Sequence, residues 1–236
     1  MRTTKYCLLL LIAISFFSLN CTHVNQLSHY KLTSGLFYFK YYVNPQMNPA
    51  DVRISDYSYG NKFPFGVILE SISESYMEKA VKEKLDRTII PDSVTRIISD
   101  GIKEGLTTYY EVVPVESPDD DPDYIVETQL NGLSLSSNTY GIYLNVDTKI
   151  IITNREKNAD AWISEICSSY PLRDIITGYS DNPWIRTTGG IINAVKLLQM
   201  TDDEIKNAVK ITVQDVSKEQ MERLKQDIQE STETKK

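Results

Sequence analysis

The sequence predicts an α+β fold: an antiparallel sheet packed by amphipathic helices in an α/β sandwich, with further helices at the C-terminus. Three observations predict it. Between residues 67 and 106, apolar residues recur every three or four positions, the spacing of a helix face. From Tyr124 to Ile152, apolar and polar residues alternate, the period of half-solvated antiparallel strands. Thr201-Asp-Asp-Glu204 is a capping box that opens a last helix.

In chain order, residues 35–43, GLFYFKYYV, are dense in aromatics and predict a strand, which Pro45 and Pro49 break. A second, short strand is expected over residues 51–59 and a turn over 60–64. Ile68, Leu69, Ile72, Tyr76, Met77, Ala80, Val81 and Leu85 form one stripe of a helix over about 67–86. Ile89, Ile90 and Pro91 end it, and Asp92 is the expected N-cap of the next helix. That helix carries Val94, Ile97, Ile98, Gly101, Ile102, Gly105 and Leu106 on one face. Each glycine costs about 1 kcal/mol of helix propensity against alanine. Two of them on an apolar face therefore predict close approach of a sheet or a second helix.

Residues 109–115 predict a strand, and Ser117 to Asp123, SPDDDPD, a loop. Tyr124, Val126, Thr128 and Leu130 then face one way and Glu127, Gln129 and Asn131 the other; Ile125 departs from the pattern. Ile142, Leu144, Val146, Ile150 and Ile152 alternate with Tyr143, Asn145, Asp147 and Lys149. With turns at 138–141 and 154–159 and a third strand over 161–170, this is a meander with one wet face. Residues 172–190 are irregular and 191–200 helical. Ile205, Val209, Val213 (or Thr212), Val216, Met221, Leu224 and Ile228 continue an apolar stripe to the C-terminus. Ser217 to Gln220 offers a second capping box, so a break is expected there. Residues 202–216 would pack on the domain, and 219–228 would project toward a partner.

The chain has 236 residues, 41% hydrophobic and 10% aromatic, enough for one large domain with a helical extension. Its first 21 residues read MRTTKYCLLLLIAISFFSLNC. Arg2 and Lys5 form a positive start, and residues 6–17 are apolar except for Ser15. This run is too short to span a bilayer, which takes about 20 residues, and has the length of a signal-peptide core. An ordinary secretory signal needs an A-x-A-like cleavage site, which is not present. A small polar segment ending in Cys21 resembles the lipobox of bacterial lipoproteins, with Ser18 and Asn20 standing where that pattern has Leu and a small residue. The resemblance implies cleavage before Cys21, lipidation of Cys21 and attachment to a membrane. Thr22 after the cysteine resembles lipoproteins released to the outer membrane.

The expected organisation is thus a signal over residues 1–20, a tether over 21–34 holding both histidines, a sandwich domain over 35–200 and a helical extension over 201–236. Loss of Arg2 and Lys5 with the signal takes the net charge from −7 to −9. Nucleic acid is therefore not an expected partner, since a general electrostatic footprint needs a basic face. Of three cysteines, Cys7 leaves with the signal and Cys21 is expected to be lipidated. Only Cys167 remains, and the fold must rest on core packing rather than a disulfide.

The candidate sites are few. Asp119, Asp120, Asp121 and Asp123 lack the Gly and Glu positions of an EF-hand loop, and read as a solvated turn. Cys167 reads as a buried strand thiol. With both histidines in the tether, Ser-His-Asp chemistry and His-ligated zinc are not expected. Glu127, Asp147 and Glu165 fall on neighbouring strands, where paired-acid hydrolysis is conceivable but a wet face would put charges anyway. Gly189-Gly190 before a helix reads as a loop turn without a P-loop pattern. The tyrosines of 38–42 and 57–59 serve either the core or a contact surface. No cofactor or metal site is expected.

The order of a two-glycine helix, YYEVVPVE, an acidic loop, DYIVETQL, the hairpin strand IYLNVDTKIII and a last strand opening AWISE is similar to that of small envelope lipoproteins. Among these are auxiliary lipoproteins of ABC-type transport and curli-secretion lipoproteins. The resemblance covers residues 36–170 and implies a non-enzymatic, lipid-anchored accessory of envelope assembly or transport, with an envelope protein partner. A surface-exposed ligand- or host-binding lipoprotein is the alternative, and a carboxylate-dependent hydrolase the third.

Overall fold

The alternation read from residues 124–171 becomes a long antiparallel meander at the centre of a seven-stranded mixed sheet. The computed structural model describes residues 23–47, 51–54, 76, 79–138, 141–172 and 195–233. Its strands are β1 (His23–Asn25), β2 (Leu36–Val43), β3 (Asp51–Ile54), β4 (Val113–Val115), β5 (Tyr124–Asn138), β6 (Gly141–Asn154) and β7 (Ala159–Pro171). Their order is β1-β7-β6-β5-β2-β4, with β3 also paired to β5. The lipobox segment with Cys21, the turn at 60–64, Tyr57 to Tyr59 and Gly189-Gly190 lie outside the described residues.

The fold is α+β, with helices packed on the sheet and a C-terminal helix, as the sequence predicts. Not all pairings are antiparallel: β2 runs parallel to both β5 and β4, and β3 parallel to β5. Parallel neighbours need a crossover, and the helical residues 79–88 and the helix Pro91–Tyr110 lie in it. This two-glycine helix and the C-terminal helix Asp202–Glu233 cover one face of the sheet. One core cluster gathers Ile98, Leu130, Leu144 and Val213; a second gathers Phe37, Ile102, Trp162 and Leu224. From Ile142 to Asn154 the burial along β6 alternates, so the predicted register holds, with Thr148 filling the inward position between Val146 and Ile150.

The two glycines are explained by the second helix. A Cβ on Gly101 would lie 2.6 Å from the Ser217 Cβ, and one on Gly105 would lie 2.7 Å from the Met221 Cγ. Gly101→Ala gains about 1 kcal/mol of helix propensity but meets overpacking of about 1–3 kcal/mol. The Ser217 Cβ is fixed by its own backbone and cannot rotate away. Denaturant unfolding is therefore expected to show a net loss for Gly101→Ala of up to about 2 kcal/mol. Gly105→Ala should lose less, because the Met221 thioether can repack. The reverse order would mean that the helices simply move apart.

Several boundaries differ from the sequence expectation. The two-glycine helix starts at Pro91 with Ile90 as N-cap, not at Asp92, because Pro at N1 has no orphan N–H to satisfy. It runs on to Tyr110, leaving only residues 113–115 of the expected strand; Glu111, at φ 53°, ends it. The capping box at Thr201 forms as read: Glu204 N donates to Thr201 Oγ1 at 3.2 Å and Thr201 N to Glu204 Oε2 at 2.7 Å. The break at Ser217 does not occur. The Ser217 hydroxyl bonds Val213 O and Ile98 O instead of capping a new turn, and Gln220, Met221, Leu224 and Asp227 are all buried. Residues 219–228 thus pack on the domain rather than project from it.

Residues 23–34 are part of the fold rather than a tether. β1 pairs antiparallel with β7, and Leu27 and Leu32 are buried. The polar character that suggests a tether comes from side chains bonded into the domain. His23 Nε2 sits 3.3 Å from Asp227 Oδ1, and Asn25 Nδ2 donates to Asp227 O at 3.1 Å. Among the described residues no helix is long and apolar enough to cross a membrane.

Candidate functional site

The side of the sheet away from the two helices carries a row of half-exposed polar residues, and a concave depression forms beside a bulge in β5. The pairing of β5 with β6 slips between Leu130 and Gly132, leaving Asn131 as the extra residue. Asp147 then lies across from Gly132 on one side and Cys167 on the other. Because Gly132 has no side chain, there is room above Asp147; a Cβ there would stand 3.1 Å from the Asp147 Cβ. The depression has a volume of about 520 Å³, with Gln46, Met47, Asn131, Asp147, Cys167 and Ser169 in its lining. Asn145 spans its floor, donating to Ser134 Oγ at 3.1 Å and Ser136 Oγ at 3.2 Å, and accepting from Ser169 Oγ.

Asp147, Glu165 and Cys167 come together: one ligand atom from each lies within 4.8 Å of the others. Among the described residues they are the group able to hold a metal ion, and a thiolate with two carboxylates is a donor set zinc accepts. The Asp147 carboxyl is pushed above the usual range, first by burial and then by the Glu165 charge. Hydrogen bonds from Cys167 and Asn131 pull it partly back. Its Oδ1 is buried without a hydrogen-bond partner among the described residues.

Linkage gives the sign of the consequence. A carboxyl with a raised folded-state pKa holds its proton in the native state after the unfolded chain has released it. Stability is therefore lost as pH rises above the unfolded value of about 3.9. Asp147→Asn removes that loss and is expected to raise Tm at pH 7, with the difference vanishing near pH 3, where both chains are neutral at this position. A lower Tm at pH 7 would show that the carboxylate stabilises the fold. An acid with a raised pKa in the lining of a depression is a functional-site candidate.

Of the three acids that the sequence groups, Glu127 does not join. It accepts from Tyr42 at 2.8 Å and Gln129 at 2.6 Å and pairs with Lys40. Burial pushes its carboxyl up, but these three partners outweigh that and hold it below the usual range. Tyr42 is pushed up to about 12 by burial and by its bond to Glu127. Tyr41 and Tyr42 are exposed and Tyr38 is half-buried.

Cys167 is exposed, not a buried strand thiol. A bulge at Ala161 sets the parity of β7, so that Trp162, Ser164 and Ile166 face the helices and Cys167 faces water. The acidic loop is structural. Ser117 and Asp120 cap a 3-10 turn, Asp121 pairs with Arg155 at 3.0 Å, and Asp123 Oδ2 accepts the Leu36 N–H at 2.8 Å, tying the start of β5 to β2.

Sequence reading missed the Asn131 bulge, for which Gly132 inside an alternating strand is the available signal. It also missed His23 with Asp227, because a polar stretch gives no period to read. That histidine stands beside a carboxylate whose other oxygen takes the Trp162 Nε1–H at 2.6 Å. The nearest cross-strand hydroxyl, on Ser164, is fully buried and closed to substrate.

No family model and no curated protein matches the chain. Solved structures that align with it include two of PelC. A PelC dodecamer from Paraburkholderia phytofirmans aligns at TM-score 0.28 and 7% identity, over 73% of this chain and 93% of that one. A point variant of the same PelC aligns at TM-score 0.27 and 8% identity, over 72% and 91%. Likeness at this level carries no inference about function.

Proposed function

We propose that this chain is a non-enzymatic, lipid-anchored envelope protein: a bacterial lipoprotein held through lipidated Cys21, on the periplasmic or surface side of the outer membrane. It acts as an accessory in envelope assembly or transport through an envelope protein partner. The observation that carries the reading is the segment from Met1 to Cys21, a basic start, a short apolar core and a cysteine. A described strand starts at His23, with only Thr22 between it and the cysteine, which suits a domain seated at a membrane. Several acyl chains on one cysteine make such attachment durable. The non-enzymatic reading is supported by the acids. Glu127 is committed to Lys40, Tyr42 and Gln129, and of the other two acids only Asp147 lines the depression, which is open rather than closed.

Cys21→Ser is expected to abolish labelling by a palmitate analogue and to leave a precursor that keeps residues 1–20, read by intact mass. Normal labelling and maturation of that variant would end the lipoprotein reading. A second reading, a ligand-binding lipoprotein, is favoured by the depression and by the Asp147 carboxyl in its lining, which burial pushes above the usual range.

A further inference from the structure

We propose that the edge of the sheet formed by β1 and β7, with the flank of the C-terminal helix beside it, is the surface that lies against the bilayer. The inference rests on the lipid anchor at Cys21. It follows from how little chain separates that anchor from the fold. An extended chain spans at most about 3.6 Å per residue, so two steps from Cys21 reach His23 within about 7 Å.

His23 is not free to lengthen that reach. Its Cα pairs with Ser164, its Nε2 lies 3.3 Å from Asp227 Oδ1, and Asn25 Nδ2 donates to Asp227 O at 3.1 Å. Gln26 N donates to Ala161 O at 3.0 Å, and Leu27, next in the chain, is buried. Peeling β1 away would expose Leu27 and undo the contacts around Asp227. The domain therefore meets the headgroups at this edge.

The charges on this flank do not supply the attraction. Arg223 donates through Nη1 to Glu165 O at 3.2 Å, and Lys225 pairs with Glu222, while Glu219 lines the same flank. Acyl chains and connectivity hold the surface in place, and the partner is a neutral lipid surface rather than an anionic one. Two consequences follow. The cluster of Asp147, Glu165 and Cys167 lies near headgroup level, since Glu165 follows the residue paired with His23. The opposite edge, at β4, is five strand spacings away, about 24 Å, and is presented outward.

The test uses the full acylated chain in phosphatidylcholine vesicles that carry a nitroxide on a fraction of headgroups. In a Cys167→Ser background, bimane is placed at Val24→Cys on β1 or at Val113→Cys on β4. Gln26→Cys, exposed on the same N-terminal segment, serves if Val24→Cys does not fold. Quenching is expected to be several-fold stronger at the β1 position. A flexible linker of about twelve Gly and Ser residues between Thr22 and His23, spanning about 19 Å, should remove that difference while leaving acylation intact. Equal quenching at the two edges, or a difference that survives the linker, overturns the orientation. A Cys21→Ser chain that still binds the vesicles overturns the lipid anchor itself, a separate result.

Discussion

A chain ending at Ser217 is expected not to fold. The residues it loses include Met221 and Leu224, both buried in the second core cluster, and each such side chain contributes about 1.5–3 kcal/mol by burial. It also loses Asp227, which leaves the Trp162 indole N–H without its acceptor; an orphaned buried donor costs about 1–3 kcal/mol. Asp227 further holds His23 and Asn25, so β1 loses its anchor as well. Together these losses rival a whole domain's stability of about 5–15 kcal/mol. Circular dichroism should show no cooperative melt for the truncated chain, and limited proteolysis should degrade it through the sheet. A cooperative melt near the full-length Tm would free the last turns for docking a partner.

That expectation reverses the one drawn from the residues alone, and the reason is physical. After Val216 the stripe on the C-terminal helix contains Gln220 and Asp227, which read as solvent positions. In the fold both are buried because the sheet supplies their partners: Gln220 Nε2 donates to Thr148 Oγ1 at 3.2 Å, and Asp227 accepts from Trp162. A polar side chain that owes its burial to a distant strand carries no local signal. The same holds for β1, three residues whose pairing with β7 depends on contacts some 140 positions away. It holds again for the parallel registers of β2 and β3 on β5, since period two fixes which face a residue takes but not which neighbour it meets.

What was legible had local causes. The alternation of β6, the stripe with Gly101 and Gly105, and the reciprocal bonds of Thr201 with Glu204 are written within a few residues of one another. The candidate site lies between these cases. Asp147 and Glu165 were visible as acids on adjacent strands. Their meeting with Cys167 follows from the register of β7 on β6, which the bulge at Ala161 shifts by one residue, and Glu127 is left out because it pairs with Ile151, four residues along β6 from Asp147.

Trp162→Ala should be the most damaging single substitution. The indole is 1% exposed, and truncating a buried aromatic to alanine costs about 3–5 kcal/mol. A further loss of about 1–3 kcal/mol comes from Asp227 Oδ2, a buried carboxylate oxygen left without its donor. Trp162→Phe separates the two, since it keeps most of the apolar contact and loses the N–H. Denaturant unfolding is expected to show a loss of about 1–3 kcal/mol for Trp162→Phe, and more for Trp162→Ala. In an Asp227→Asn background, where no charge is left buried, the Trp162→Phe loss should shrink, a coupling that a double-mutant cycle reads directly. Hydrogen exchange adds a structural readout: with Asp227 weakened, amides of residues 24–32 should exchange faster while those of β5 and β6 hold. Additive losses, with exchange at residues 24–32 unchanged, would mean that Asp227 is a passive neighbour of the indole and that β1 is fixed by its backbone pairing alone.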